Sequence, residues 1–260
     1  MTLAQRKRLL LKASPWLLLL ALVLLWELVC VAFDIPTYLF PAPTDIWASW
    51  LEYRTPIIEH ALQTLFTTVT GFAIAVVFGL VLGMLVGSSP IIYKAVYPLM
   101  VGFNSIPKVA FVPVLVVWFG IGTVPAIITA FLISFFPVVV NMATGLATLE
   151  PELQDVLRSL GASRVDILRK VALPRAMPYF FASLKVAITL AFVGSVISET
   201  VASNVGIGYL MISASSTMDM GLVFAGLVVI GIMGVMMYEV FALIERRMTG
   251  WATRGSGTAG

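Results

Sequence analysis

One cysteine, Cys30, and one histidine, His60, are all this sequence holds of the two residue types that most often bind metals or pair as nucleophile and base. Neither a disulfide framework nor a Cys/His metal site can be built from one of each, and no Ser/His or Cys/His constellation for an intramembrane enzyme is present. Charge is scarce too: Asp, Glu, Lys and Arg make up 11% of the residues, against about 25% in a soluble domain. The dipeptide Gly-Lys is absent, which excludes a Gly-x-x-x-x-Gly-Lys phosphate loop. The sixteen Lys and Arg are dispersed instead of being interleaved with aromatics along one face, so nucleic acid is not an expected partner.

What the chain has instead is apolar length. Of its 260 residues, 60% are hydrophobic, and its mean hydropathy is +1.03. Soluble domains stay near about 45–50% apolar, so water is not its main solvent. A helix needs roughly 20 apolar residues to cross about 30 Å of hydrocarbon. Six stretches qualify: residues 15–33, 65–86, 97–119, 125–147, 179–200 and 222–244. The expected fold is an all-α, polytopic membrane protein with six transmembrane helices and no separate catalytic domain. A membrane domain over residues 15–247 is flanked by tails of residues 1–14 and 248–260. The first stretch follows Arg6, Lys7, Arg8 and Lys12 in the manner of a signal peptide. It is longer than a typical signal core, however, and no small-x-small cleavage site follows it. Val29 is also too large for lipoprotein processing at Leu28-Val29-Cys30, so the segment reads as a retained helix and Cys30 as a passive part of it.

Cytoplasmic segments carry the excess of Lys and Arg. With the N-terminus inside, thirteen of the sixteen basic residues fall on inner segments: Arg6, Lys7, Arg8, Lys12, Lys94, Arg158, Arg164, Arg169, Lys170, Arg175, Arg246, Arg247 and Arg254. Only Arg54 falls outside, while Lys108 and Lys185 lie within spans. Both termini are therefore expected to be cytoplasmic. The outer segment from Asp34 to His60 holds Asp34, Asp45, Glu52 and Glu59 among turn-forming prolines, and a short amphipathic helix begun by Thr44 or Asp45 is expected there. Ala75, Gly79, Gly83 and Gly87 recur every four residues along the second span, a stripe suited to close helix packing within the chain or, alternatively, to a dimer seam.

Polar groups at membrane depth by default mark a pathway. Asn104, Ser105 and Lys108 on the third span, Ser134 and Asn141 on the fourth, and Ser195, Ser198 and Glu199 on the fifth are the candidates. Asn104 and Lys108 share a face, where a lysine with an amide neighbour can attract an anion; the rival reading is a lysine reaching for the interface. Lys185, Glu27 and Glu239 lie close enough to span ends for that rival reading. Glu199, followed by Asn204, Gly206 and Gly208, either anchors a glycine-permitted reversal or serves as a gate or partner contact. Pro107, Pro113 and Pro137 kink their spans or mark broken helices.

The longest inner loop, residues 149–178, has its own order. Leu153, Val156, Leu157 and Leu160 recur at helical spacing, Gly161 interrupts, and Val165, Leu168 and Val171 resume the pattern. This predicts two short amphipathic helices joined at a glycine, the second stopped by Pro174 and Pro178. Such a hairpin either fits a groove of a soluble partner or covers the ends of its own spans.

Here the chain resembles the permease subunits of binding-protein-dependent ABC importers. Their cytoplasmic motif reads Glu-Ala-Ala, three residues, Gly, nine residues, Ile-x-Leu-Pro. Gly161 is followed after nine residues by Val171-Ala172-Leu173-Pro174, and the first positions read Asp155-Val156-Leu157, keeping the acid but not the alanines. Residues 65–87, 106–122 and 198–210 look like the nitrate, sulfonate, taurine and bicarbonate branch, and the similarity spans about residues 41–247. The resemblance implies the MetI-like permease fold and a second copy of the permease. It also implies two cytoplasmic ATPase subunits that bind ATP and Mg, a periplasmic or lipid-anchored solute-binding protein, and the bacterial inner membrane as location. No cofactor or metal is expected in the chain itself. Coupling to the ATPase would fall to Asp155, Val156, Leu157, Leu160, Gly161, Ala162, Leu173 and Pro174; the solute, a small organic or inorganic anion, would pass Asn104, Ser105, Lys108, Asn141, Ser195 and Glu199. An ion-coupled secondary transporter is the alternative, with Glu199, Glu239 and the lysines as relay groups, but it leaves the hairpin without a task.

Overall fold

The computed structural model describes residues 3–148 and 150–249. Met1, Thr2, Leu149 and residues 250–260, with Arg254 and the outer parts of both expected tails, lie outside the described residues. The elements are α1 (Leu3–Ala32), α2 (Pro43–Glu52), α3 (Arg54–Gly87), α4 (Pro90–Asn104), a 3-10 turn (Lys108–Phe111), α5 (Val112–Phe119), α6 (Thr123–Ala147), α7 (Pro151–Ser159), α8 (Arg164–Ile167), a π-helical turn (Leu168–Ala172), α9 (Leu173–Ala202), α10 (Ile207–Ser216) and α11 (Met220–Thr249). Among the described residues, five helices are long and apolar enough to cross a membrane, and six crossings result if the bent pair α4–α5 counts as one.

Three features refine the expected arrangement. The segment expected as an N-terminal tail is helical from Leu3; from Leu3 to Ser14 it contains no glycine, proline or β-branched residue to oppose helix. The third span is not one helix but two, from Ile91 to Asn104 and from Lys108 to Phe119, inclined by 70°. Pro107 supplies no N–H and disfavours the helical region for Ile106, so the ladder ends at Ser105, whose N–H still reaches Val101 at 3.1 Å. Finally, Pro174 and Pro178 do not end the second helix of the loop. Pro174 sits in the first turn of α9, where a missing N–H is cheapest, and the wide π turn just before it takes up the ring's conflict with the preceding carbonyls. The fifth crossing therefore runs as a 38-residue helical stretch, Val165–Ala202.

The chain divides into two compact units. In the first, residues 1–59 with 210–229, Trp26, Phe40 and Phe224 form a cluster with ring centroids 5.2 to 5.9 Å apart. Glu27 accepts both the backbone N–H and the hydroxyl of Thr44, at 3.1 and 2.8 Å, and so satisfies an orphan donor at the start of α2. That contact gives Glu27 a structural task.

In the second unit, residues 60–209 with 230–260, α6 is the central helix. A Cβ on Gly79 would lie 2.7 Å from Val138 Cβ, one on Gly83 2.6 Å from Met142 Cβ, and one on Gly87 2.8 Å from the Ala143 carbonyl. The small-residue stripe of α3 is thus spent on close packing against α6 within the chain. On its other side α6 meets α9 by the same device: Gly145 faces Ala176, and Gly194 of α9 faces the Thr129 carbonyl. Phe72 of α3 packs on Phe241 of α11 with centroids 4.9 Å apart. The buried hydroxyls of α6 bond back along their own helix, Thr129 to the Pro125 carbonyl at 2.7 Å and Ser134 to that of Ala130 at 2.6 Å.

Candidate functional site

The elbow between α7 and α8 is built by two caps in succession. Gly161 adopts φ +86, the left-handed conformation that ends a helix; its N–H reaches the Arg158 carbonyl at 2.9 Å, and the Ala162 N–H reaches that of Leu157 at 3.0 Å. These are the two bonds of a Schellman motif. Two residues later Ser163 starts α8: its hydroxyl accepts the Asp166 N–H at 3.2 Å and meets the Asp166 carboxylate at 2.5 Å, while Lys170 binds that carboxylate at 2.7 Å. The chain therefore turns within residues 160–163. Asp155, Val156, Leu160, Gly161 and Pro174 are exposed, and Leu157, Ala162 and Leu173 are half-buried. Val156, Leu160 and Val165 leave an apolar edge open, with Leu160 at 78% exposure, beside the Arg158–Asp155 pair.

At the far end of α9, Ser195 and Glu199 come together with residues the sequence reading passed over. Glu199 is 1% exposed. Its carboxylate accepts the hydroxyls of Thr64 at 2.7 Å and Thr67 at 3.1 Å, the Gly208 N–H at 3.3 Å and the Ser195 hydroxyl at 3.4 Å. Thr67 and Ser195 share a further hydrogen bond of 2.5 Å. Thr64 also accepts the Ile207 N–H at 2.8 Å, and His60 Nδ1 accepts that of Gly206 at 2.9 Å. Two helices thereby satisfy the orphan donors at the start of α10. The glycines follow from this closeness. Gly206 has φ +103 and a Cβ there would strike the Glu199 carboxyl, while a Cβ on Gly208 would lie 2.5 Å from the Val196 carbonyl.

Asn104, Ser105 and Lys108 belong to a different place, the break of the third crossing. Lys108 Nζ donates to the Asn104 carbonyl at 2.8 Å and to its Oδ1 at 2.5 Å, and stands 5.8 Å from the centre of the Phe136 ring. Phe136 lies thirteen residues past Thr123 and eleven before Ala147, which is mid-length on α6. At about 1.5 Å per residue, Phe136 is roughly 16 to 20 Å along the axis from either end of that helix. A lysine charge at the centre of a crossing costs about 2.5–3.5 kcal/mol. Among the described residues, no carboxylate forms an ion pair with Lys108. Ser105 bonds back to the Val101 carbonyl at 3.1 Å. Asn141 stands apart on α6, its amide donating to the Pro137 carbonyl at 2.8 Å. Lys185 pairs with Glu245 of α11 and faces Tyr238, so it is held within the unit.

The threonines carry a faint sequence signal: hydroxyls at 64, 67, 68 and 70 cluster on the half of α3 that also holds Glu59, His60 and Gln63. Nothing in the sequence names Glu199, 135 positions from Thr64, as their partner. Among the described residues, no cluster of three or more His, Cys, Asp or Glu side chains is placed to hold a metal ion.

An all-helical, multi-span membrane protein with an amphipathic elbow beside its spans is a transport scaffold in class. Residues 75–250 match the family model described as binding-protein-dependent transport system inner membrane component, and the chain belongs to that family. It is 32% identical to a probable ABC transporter permease protein of Haemophilus influenzae, over 84% of this chain and 89% of that one. A formylaminopyrimidine transport permease, ThiX, of Halalkalibacterium halodurans is 27% identical over 92% of this chain and 95% of its own. The taurine transport system permease TauC of Escherichia coli is 27% identical over 90% and 87%. Among solved structures, an inward-facing MetNI methionine ABC transporter chain superposes with a TM-score of 0.66 at 20% identity, covering 76% of this chain and 98% of that one, a likeness of fold. The chain is a multi-pass permease subunit of an ABC importer in the inner membrane.

Proposed function

We propose that this permease works as a pair of identical copies, termini in the cytoplasm, switching a central cavity between the two sides of the membrane when a separate ATPase dimer closes around ATP and Mg. A periplasmic or lipid-anchored protein delivers the solute. The chain carries no nucleotide site, cofactor or metal of its own. The observation that carries this reading is the elbow: exposed apolar side chains at Val156, Leu160 and Val165, capped at Gly161 and Ser163, and continuous from Val165 through Leu173 and Pro174 with the helix α9 that carries Glu199 in its last turn and ends at Ala202. A push on the elbow is delivered along the whole of α9 to the residues that hold the start of α10. Alternating access needs such an element, with two packings that ATP binding biases.

In this reading Asn104, Ser105 and Lys108 face the passing solute, Asn141 is a further polar point along the way, and Ser195 with Glu199 forms the outer latch. The solute is a small anion, supported by the uncompensated Lys108 and by the taurine permease among the relatives. A heteroaromatic solute is the second reading, favoured by similarity to the formylaminopyrimidine permease. The test is crosslinking in native membranes. Cysteines introduced singly at positions 156 to 160 are expected to trap the ATPase subunit, and failure at all five rejects the docking. Loss of uptake on ATP depletion, with the ion gradients kept, separates this mechanism from an ion-coupled carrier.

A further inference from the structure

Of the ion pairs among the described residues, Lys185–Glu245 alone joins two spans; the other two lie within residues 155–170. Lys185 sits on α9, twelve residues past Leu173, and Glu245 lies four residues before the end of α11. Both side chains are largely buried, at 23% and 21% exposure. α11 grips the ammonium at two points seven residues apart on one face: the Glu245 carboxylate, and the Tyr238 ring with its centre 6.0 Å away.

The pair is an exception in how these helices meet. α3, α6 and α9 are pressed together through small residues: a Cβ on Gly83 would lie 2.6 Å from Met142 Cβ, and one on Gly145 3.0 Å from Ala176 Cβ. α11 touches the same block through long side chains. Phe241 rests on Phe72, and a Cβ on Gly234 would lie 3.4 Å from the Phe192 ring, an ordinary contact distance. Apolar contact of that kind holds helices together but is non-directional, so it sets their register along the axis only weakly. An ion pair adds little net stability over apolar packing, and its best-attested gain is register.

α9 is also the helix that the elbow enters. Residues 165–202 form one helical stretch, so a displacement at Leu173 reaches Lys185 about 18 Å further along the axis. We propose that Lys185 and Glu245 are positioning residues of the transport cycle: their ion pair locks α11 in register with α9, so that a stroke entering at the elbow moves both helices together. This rests on the permease reading above and adds to it the helix that follows the driven one. Without the pair, α9 slips against α11 and nucleotide binding no longer moves the two as one.

The test uses the permease–ATPase complex in nanodiscs, with spin labels at Val193 of α9 and Leu243 of α11, both exposed, and with unlabelled permease added to dilute the label. Pulsed electron resonance reads the distance between the labels without nucleotide and after trapping with ATP and vanadate. In the wild type this distance is expected to stay the same on trapping. In Lys185→Met and in Glu245→Gln it should shift by about 1–2 Å or more, the size of helix shifts at switching interfaces, or split into two populations. Exchanging the charges, Lys185→Glu with Glu245→Lys, should restore the wild-type behaviour. A pair with a merely structural role would lower the melting temperature of the single variants and leave the nucleotide dependence of the distance as it was. A wild-type distance that shifts as far as the variants', single variants that respond as the wild type does, or an exchange that behaves as the single variants do each overturns the clamp. ATP hydrolysis and monodispersity of every variant show that it is folded. If the complex hydrolyses ATP while the distances ignore Lys185, the clamp alone falls; if no ATPase accompanies the permease, the transport reading falls with it.

Discussion

Replacing Gly161 with alanine isolates backbone conformation from contact. A Cβ at Gly161 meets nothing within 4 Å, so no collision contributes. What remains is the φ of +86, which costs a residue bearing a Cβ about 1–2 kcal/mol in the left-handed region. That is a factor of roughly 5 to 30 in the balance between the capped elbow and an uncapped one. Because α9 continues unbroken from the elbow, the membrane-spanning part should fold normally while the docking edge loses its fixed direction. The expected result is unchanged expression and monodispersity for Gly161→Ala, with ATP-driven uptake and copurifying ATPase reduced several-fold. Asparagine tolerates the left-handed region better than other residues with a side chain, so Gly161→Asn should recover most of both. Uptake in proteoliposomes and quantitative pull-down of the ATPase are the assays. If alanine is harmless, or asparagine is as damaging as alanine, the cap geometry is not what positions the elbow.

At the opposite end of α9, Glu199→Ala takes the acceptor from the Gly208 N–H, worth about 1–3 kcal/mol when buried without a partner, and leaves the Thr64 and Thr67 hydroxyls to the His60 and Thr64 carbonyls. Its melting temperature should fall clearly below that of Glu199→Gln, which keeps an acceptor; equal values would remove Glu199 as an anchor. Gly83→Leu forces a side chain into Met142 and should destabilise the bundle by at least about 1–3 kcal/mol. Thermal melts in detergent check this against Gly231→Leu, whose Cβ meets nothing within 4 Å and should be tolerated.

The spans and the elbow could be read from the chain because each rests on local pattern. A run of apolar residues needs no knowledge of its neighbours, and Gly161 between two amphipathic segments marks its own turn. The small-residue stripe on α3 announced a close approach, though only the structure supplied α6 as the partner. The prolines were ambiguous one by one. Pro137 leaves α6 unbroken, whereas Pro107 splits its span: the Phe103 carbonyl, deprived of a donor at 107, accepts the Ile106 N–H at 3.3 Å, and the Asn104 carbonyl accepts the Lys108 ammonium. The Glu199 cluster was half-visible: the acid and the glycines stand out within ten residues, while the threonines that hold it come from a helix far away in the chain. Hydrogen bonds between distant segments leave no periodic trace.

The seam along Gly79, Gly83 and Gly87 also limits what can move. Where two backbones touch with no long side chains between them, neither helix can roll or slide without opening a void, so α3 and α6 travel as one stiff plank through any cycle. Compliance is then expected elsewhere, and the discontinuity at residues 105–107 lies outside that seam.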